Sequence, residues 1–404
     1  MIRPATGAPH TATLVVMTGL SILSLNMFMP SLAGMAADFE VSYALISISI
    51  SGYFATTAVM QLIAGPLSDR YGRRPIVLAG FALFTVASLG CAVAPTVELF
   101  LVARILQCGV VAGAALSPAI VRDTAEPAEA AARLGMIGMA MALAPMLAPI
   151  VGGALDLAFG WRASFLAAAL AGFGALLLVW RDLGETNPVL GRSLLDQVRT
   201  YPHLFGDLRF WSYAVTIAFS ASTFFVFISG APLVGTEVYG LTPAEVGLAM
   251  AVTPLGYMIG NFWTNRLSGR VPMVRLIIVG RSIALAGVLI ALLLTLGDPS
   301  ALLFFGLMAA VGAGNGLTIP NAYTGAMSVR PDLAGSASGV SGAITVAIGA
   351  VMTALTGMLV GAAPDRATLA ALMLVSTVCA FLGGFAIRAA ERPTPDLDAR
   401  RAVP

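Results

Sequence analysis

Gly65-Pro66-Leu67-Ser68-Asp69-Arg70-Tyr71-Gly72-Arg73-Arg74-Pro75 is a dense patch of charge between two long apolar runs, residues 45–64 and 76–95. Each run is long enough to cross a hydrocarbon core about 30 Å thick as a helix. A turn this short leaves no room for a domain, so it joins two spans tightly on one face. Its arginine excess marks that face as cytoplasmic.

Composition extends the reading to the whole chain. Of 404 residues, 58% are hydrophobic and 10% are charged, where a soluble domain carries about 25% charged residues. The chain reads as a polytopic membrane protein whose first partner is the lipid bilayer. All 22 basic residues are Arg, and a net charge of +2 makes no case for nucleic acid. Cys91, Cys108 and Cys379 lie inside apolar runs without metal-type spacing and read as small packing residues. His10 and His203 fall outside the spans and suggest no metal or catalytic role. No nucleophile–base pair or metal cluster is spaced for an intramembrane enzyme, and no cofactor is expected. The first apolar run lacks a small-residue cleavage site, so it reads as a retained helix.

Turn chemistry between apolar runs gives twelve candidate helices, at roughly 11–33, 45–67, 75–95, 97–121, 134–157, 161–181, 210–233, 244–267, 273–296, 300–327, 334–361 and 366–388. Alternating the connections between faces tests this count. Eighteen of the 22 arginines then fall on one face, Arg162 and Arg366 on the other, and Arg104 and Arg281 within spans. That bias places both termini in the cytoplasm. Trp161, Trp180 and Trp211 sit at predicted helix ends, where amphipathic rings prefer the interface. The organisation expected is an N-terminal six-helix bundle (1–181), a cytoplasmic linker (182–209) and a C-terminal six-helix bundle with its tail (210–404). The halves echo each other: Pro30 with Pro232, Leu67-Ser68-x-Arg70 with Leu267-Ser268-x-Arg270, Gly109/Gly113 with Gly312/Gly316, and Pro118 with Pro320. Four matches at one offset suggest a parallel repeat, with a substrate site at the interface of the halves near the midplane.

The G-x-L-x-D-R-x-G-R-R-P pattern of residues 65–75 resembles the loop between the second and third helices of the major facilitator superfamily. Within it, the chain resembles the Bcr/CflA branch of drug-efflux transporters along essentially its whole length. The first span carries Asn26-Met27-Phe28-Met29-Pro30-Ser31-Leu32, similar to the branch's D-M-Y-L-P-S-L. The fourth carries Arg104-Ile105-Leu106-Gln107, similar to R-x-L-Q, and ends in Val121-Arg122-Asp123. The fifth carries Ala144-Pro145-Met146-Leu147-Ala148-Pro149-Ile150-Val151-Gly152-Gly153, which looks like the antiporter motif of proton-driven exporters. Gly160-Trp161-Arg162-x-x-Phe165 follows. In the second half Gly314-Asn315-Gly316 and Pro320-Asn321 are the clearest marks.

Asp69, Arg73 and Asp123 lie at one face, where a carboxylate can pair with Arg or cap a helix N-terminus. The resemblance implies that Gly65, Asp69, Arg70, Gly72, Arg73, Arg74 and Asp123 form a cytoplasmic latch that breaks as the halves rock; the plain alternative is a solvated turn. Arg104 lies about 10 Å into its helix at 1.5 Å per residue, where a charge is expensive and functional by default. It is expected in the cavity, with Gln107 one turn on. Asn26 lies at the same level, where many branch members carry an acid. Asn cannot titrate, so any proton coupling falls on Asp69 and Asp123. A cavity with Arg and no acid should repel permanent cations and favour neutral, zwitterionic or weakly anionic substrates. Pro145, Pro149, Gly152 and Gly153 are expected to bend and seal the fifth helix. Tyr53, Gln61, Tyr257, Asn261, Asn315, Asn321 and Tyr323 offer polar groups within spans, as cavity lining or as interhelical bonders. Met136, Met139, Met141 and Met146 read as packing or as adaptable surface. Arg281 reads as a snorkelling or packing residue.

The reading is an all-α, twelve-helix protein of the bacterial inner membrane, monomeric, built from two six-helix pseudo-repeats. The resemblance implies export of small amphipathic xenobiotics by proton antiport, with the proton gradient as energy source. An uptake permease or uncoupled facilitator is the alternative within transport, and a ligand-binding sensor is the alternative outside it.

Overall fold

The computed structural model describes residues 8–187, 206–330 and 334–390, with the backbone alone of 127, 128, 131, 132, 135, 139, 140, 142 and 334–336. Every regular element among the described residues is helical. Twelve long helices follow one another: α1 Thr11–Asp38, α2 Tyr43–Tyr71, α3 Arg73–Val93, α4 Val97–Thr124, α5 Pro127–Phe159, α6 Arg162–Asp182, α7 Leu208–Val238, α8 Pro243–Leu267, α9 Met273–Leu294, α10 Ala301–Val329, α11 Ala334–Ala362 and α12 Arg366–Ala390. All but α8 are long and apolar enough to cross a membrane; α8 has the length, 25 residues, but is more polar. The largest boundary difference is at α5. It starts at Pro127 rather than near 134, because Pro is accommodated in a first helical turn. Most of the expected 182–209 linker, residues 188–205, lies outside the described residues.

Four helices are interrupted, the last of them α10 at Leu307, between Ala301–Gly306 and Met308–Val329. After Asn26, α1 loosens into a 3-10 turn, Met29–Ser31, containing Pro30. A second 3-10 turn, Gln107–Val110, divides α4. Helix α7 ends in a π turn, Val234–Val238, just after Pro232. Proline withholds a backbone donor, which explains the first and third breaks.

The second six helices repeat the pairings of the first. Helix α1 packs on α5, and α3 on α4 and α6; α7 packs on α11, and α9 on α10 and α12. At the α3–α4 crossing a Cβ on Gly80 or on Gly109 would meet the other's carbonyl, and Gly280 and Gly314 do the same for α9 and α10. Gly314 rather than Gly312 therefore plays the part of Gly109. Gly312 and Gly316 face the carbonyls of Thr253 and Tyr257 on α8 instead.

A second recurrence lies at the arginine-poor end. Phe39 packs on Phe100 at 5.7 Å between centroids, with the Arg162 guanidinium 5.9 Å from the Phe39 ring. Tyr239 packs on Phe304 at 6.0 Å, with Arg366 at 5.8 Å from the Tyr239 ring. Each arginine holds a carboxylate, Asp38 at 2.7 Å and Asp298 at 2.6 Å. Burial of the Tyr239 phenol against these rings raises its pKa, and the nearby Arg366 guanidinium opposes that shift. Trp161 stands at the start of α6, the expected helix end, and is buried there between Phe39, Phe100 and Phe165, with Nε1 donating to Asp38.

Candidate functional site

Two helix pairs join the halves, α2 with α11 and α5 with α8. At the arginine-poor end they meet backbone to backbone. A Cβ on Gly153 would meet the Pro243 carbonyl, and one on Gly247 the Pro149 carbonyl. Gly152 faces inward, where a Cβ would overlap the Met27 carbonyl of α1. On the other pair, Gly357 and Gly361 sit against Ser47, Ala44 and Tyr43. The Tyr43 hydroxyl donates to the Ser229 carbonyl at 2.6 Å. Small residues permit this approach because no side chain stands between the backbones. The expected fifth-span motif thus divides: Gly152 packs within its half, Pro149 and Gly153 face the other half, and Pro145 lines a cavity.

That cavity, about 670 Å³, lies between α5, α7, α8 and α10. Exposure rises along both walls towards the arginine-rich end. On α8, Thr253 is buried, Tyr257 and Asn261 half-buried and Asn265 exposed. On α5, Pro149 is buried, Pro145 half-buried, and Met141 and Gly138 exposed. The space is closed at the arginine-poor end and widens towards the other. Phe225 forms part of its floor and stacks on Phe54 of the first half at 4.4 Å. Thr253, Tyr257, Asn261 and Asn265 recur every four residues, one helix face. They oppose Asn315 across an otherwise apolar lining that includes Phe224, Met258 and Ile319. Close packing of α8 on α10 comes from Gly256 and Gly260 against the Ala309 and Ala313 carbonyls, and from Gly312 and Gly316 against those of Thr253 and Tyr257.

Of the expected cavity residues, the structure brings Tyr257 and Asn315 to this lining, together with Asn261. Gln61 sits at the α2–α11 junction against Gly342. Asn26, Tyr53, Arg104 and Gln107 are elsewhere, buried within the first six helices. Arg104 is 0% exposed and so lends the cavity no surface. Its Nη1 donates to Gln107 Oε1 at 2.6 Å, and Gln107 Nε2 donates to Ser88 Oγ at 2.7 Å. The rings of Phe28 and Tyr53 lie 4.3 Å from the guanidinium. Its Nε and Nη2 have no hydrogen-bond partner, and neither does Asn26 Oδ1. Asn26 Nδ2 donates to the Ile22 carbonyl at 2.8 Å rather than engaging Arg104. Asn26 and Gln107 both stand at the helix interruptions noted above.

Arg281 is also 0% exposed, which removes snorkelling and leaves packing. Its Nε donates to Thr318 Oγ1 at 2.9 Å and Nη2 to Asn315 Oδ1 at 2.6 Å. Of the methionine run, Met141 lines the cavity, and Met139 lies outside the described side chains.

At the arginine-rich end Asp69, Arg73 and Asp123 converge. Arg73 Nη1 is 2.8 Å from Asp69 Oδ1 and Nε is 3.3 Å from Asp123 Oδ2. Arg73 also donates to Ser68 Oγ. Gly72 turns at φ +101°, in the region that favours glycine, and a Cβ there would meet the Glu185 carboxylate. Glu185 accepts from the Arg73 and Arg74 N–H groups at 2.9 and 3.2 Å, capping α3. Arg74 donates to the Leu183 and Trp180 carbonyls. Arg70 is exposed over the Tyr71 ring, and nothing lies close to the position a Gly65 Cβ would take. Glu185 escaped the sequence reading because it falls in the polar stretch after the sixth span. Glu185→Ala is expected to cost about 1 kcal/mol, the usual loss of an N-cap acceptor, read as a lower midpoint in thermal unfolding of the detergent-solubilised protein.

Twelve helices in repeated sixes, closed at one end around a mid-span cavity, define a membrane transporter. The sequence profile of the Major Facilitator Superfamily matches residues 14–354, and the chain belongs to that family. It is 31% identical over 372 residues to the uncharacterised MFS-type transporter YdgK of Bacillus subtilis strain 168, covering 89% of this chain and 91% of that one. It is 31% identical over 322 residues to the multidrug resistance protein MdtL of Escherichia coli K12, covering 78% and 81%. Among solved structures, a bacterial homologue of the human lysosomal transporter Spinster, inward-facing and occupied, superposes with TM-score 0.75 at 19% identity over 96% of this chain and 98% of that one. A D-xylose–proton symporter superposes with TM-score 0.72 at 15% identity over 92% and 97%.

Proposed function

We propose that the protein is a Bcr/CflA-type exporter of small amphipathic drugs or xenobiotics, working by alternating access with proton antiport. The observation that carries this reading is the cavity: about 670 Å³, the size class of drug-binding sites, mostly apolar, and open towards one end. The likeness to MdtL, a multidrug resistance protein, supports the same substrate class. The arginine bias supports a bacterial inner-membrane protein with both termini in the cytoplasm, so that the cavity faces the cytoplasm. The moving bodies are residues 1–181 and 210–404, connected by 182–209, in a single monomeric chain.

The Asp69–Arg73–Asp123 cluster is formed while the cavity is open to its own end and lies within the first six helices. In this reading it therefore braces the cytoplasmic ends of α2, α3 and α4 for the gate and does not itself shut it, while Pro149 and Gly153 seal the periplasmic side. Proton coupling falls on Asp69 and Asp123, since no acid is among the described cavity-lining residues. That same observation favours the second reading, a facilitator without proton coupling. Expression in an efflux-deficient host separates them. Antiport requires that active extrusion of a substrate drug stop when a protonophore collapses the gradient. Downhill flux that continues unchanged under the protonophore would establish the facilitator.

A further inference from the structure

We propose that the cavity recognises an aromatic substrate through a carboxylate, seated against Asn315 with Arg281 behind it. This rests on the reading that the cavity is the substrate site. None of the described lining residues carries a charge. Among the described residues, the one charged group hydrogen-bonded to that lining is Arg281, through Asn315. No carboxylate reaches Arg281 to neutralise it among the described residues, so its field is uncompensated. In a desolvated setting such a charge acts strongly on a second charge nearby.

Geometry fixes what Asn315 can offer. Its Oδ1 accepts from Arg281 Nη2 at 2.6 Å, so the amide is held with its oxygen towards the guanidinium. The group left for the cavity is the Nδ2 donor pair. Two further donors are buried without partners: Arg281 Nη1 behind Asn315, and the hydroxyl of Thr253 in the lining itself. Buried donors without partners are costly and attract an acceptor. Phe224 and Phe225 supply the apolar surface for a ring. Arg104, the residue first expected to set charge preference, takes no part in this lining.

Equilibrium dialysis of the purified full-length protein in detergent tests the proposal with 2-naphthoate, 2-naphthamide and 2-naphthyltrimethylammonium. The three share one ring system and differ in the charge of the attached group. Naphthoate is expected to bind at least about ten-fold tighter than the trimethylammonium compound, or about 1.4 kcal/mol, with the amide between. Asn315→Asp puts a carboxylate on Arg281 and removes the Nδ2 donors, and is expected to weaken naphthoate about ten-fold more than it weakens naphthamide, so that the order of the two reverses or levels. Equal or tighter binding of the trimethylammonium compound overturns the proposal, as does an unchanged ranking in Asn315→Asp. If that variant does not fold, the wild-type ranking decides alone. Dialysis reads occupancy without transport, so a failure to export drugs leaves this result standing, and the reverse.

Discussion

Gly153→Leu is expected to abolish transport while leaving the protein folded, whereas Gly152→Leu is expected to cost the fold itself. The neighbours differ only in what they face. A Cβ on Gly152 overlaps the Met27 carbonyl inside the first six helices, a contact kept in every state of a rocking pair. A Cβ on Gly153 meets the Pro243 carbonyl and Ala244 of α8, across the junction that must part when the cavity opens the other way. Overpacking costs about 1–3 kcal/mol. Placed on one state alone, that cost shifts its population by about 5- to 150-fold. Size-exclusion profiles and thermal midpoints should separate the two variants. Thiol labelling of a cysteine placed at Ser47 should rise in Gly153→Leu, because that position is shut off by Gly357 in the closed arrangement. Wild-type labelling and transport in Gly153→Leu would refute this account of the seal.

Arg104→Met is expected to fold with an unchanged or raised thermal midpoint and to lose export to background. The guanidinium is wholly buried, with two of its nitrogens unpartnered and no carboxylate bonded to it. Ring faces recover about 2 kcal/mol for a desolvated cation, less than the several kcal/mol that burying a charge costs. Methionine fills similar volume without that penalty. A residue that strains the fold but is held by Phe28, Tyr53 and Gln107 is expected to have a role outside stability. Drug-susceptibility testing in an efflux-deficient host, beside thermal unfolding of the purified variant, reads both halves of the prediction. A destabilised variant that still exports would make Arg104 a packing residue.

The spans are legible in the sequence because membrane crossing depends on local quantities, run length and the side on which arginines fall. The Asp69–Arg73–Asp123 cluster is legible for a related reason: Asp69 and Arg73 lie one turn apart, and their link to Asp123 needs only that two helices end on one face. The cavity is less so. Tyr257 and Asn315 are ordinary polar residues until helix rotation is known, and Arg104 inside a span looks like a cavity charge although it points into a packed bundle. One signal was available, the four-residue recurrence of Thr253, Tyr257, Asn261 and Asn265, which makes α8 the most polar span. The Arg281–Asn315 pair joins helices across 34 residues of sequence, and no periodicity within either helix announces it.

That same polar face has a consequence for biogenesis. During synthesis α8 reaches the lipid before α10 exists, and its hydroxyl and amide groups then have neither water nor partner. The glycines from Gly256 to Gly316 leave room for the two segments to close backbone to backbone. Integration of the eighth segment is therefore expected to be weak until the tenth has emerged, and a chain truncated before α10 should leave α8 more readily extracted from the membrane than the full chain does.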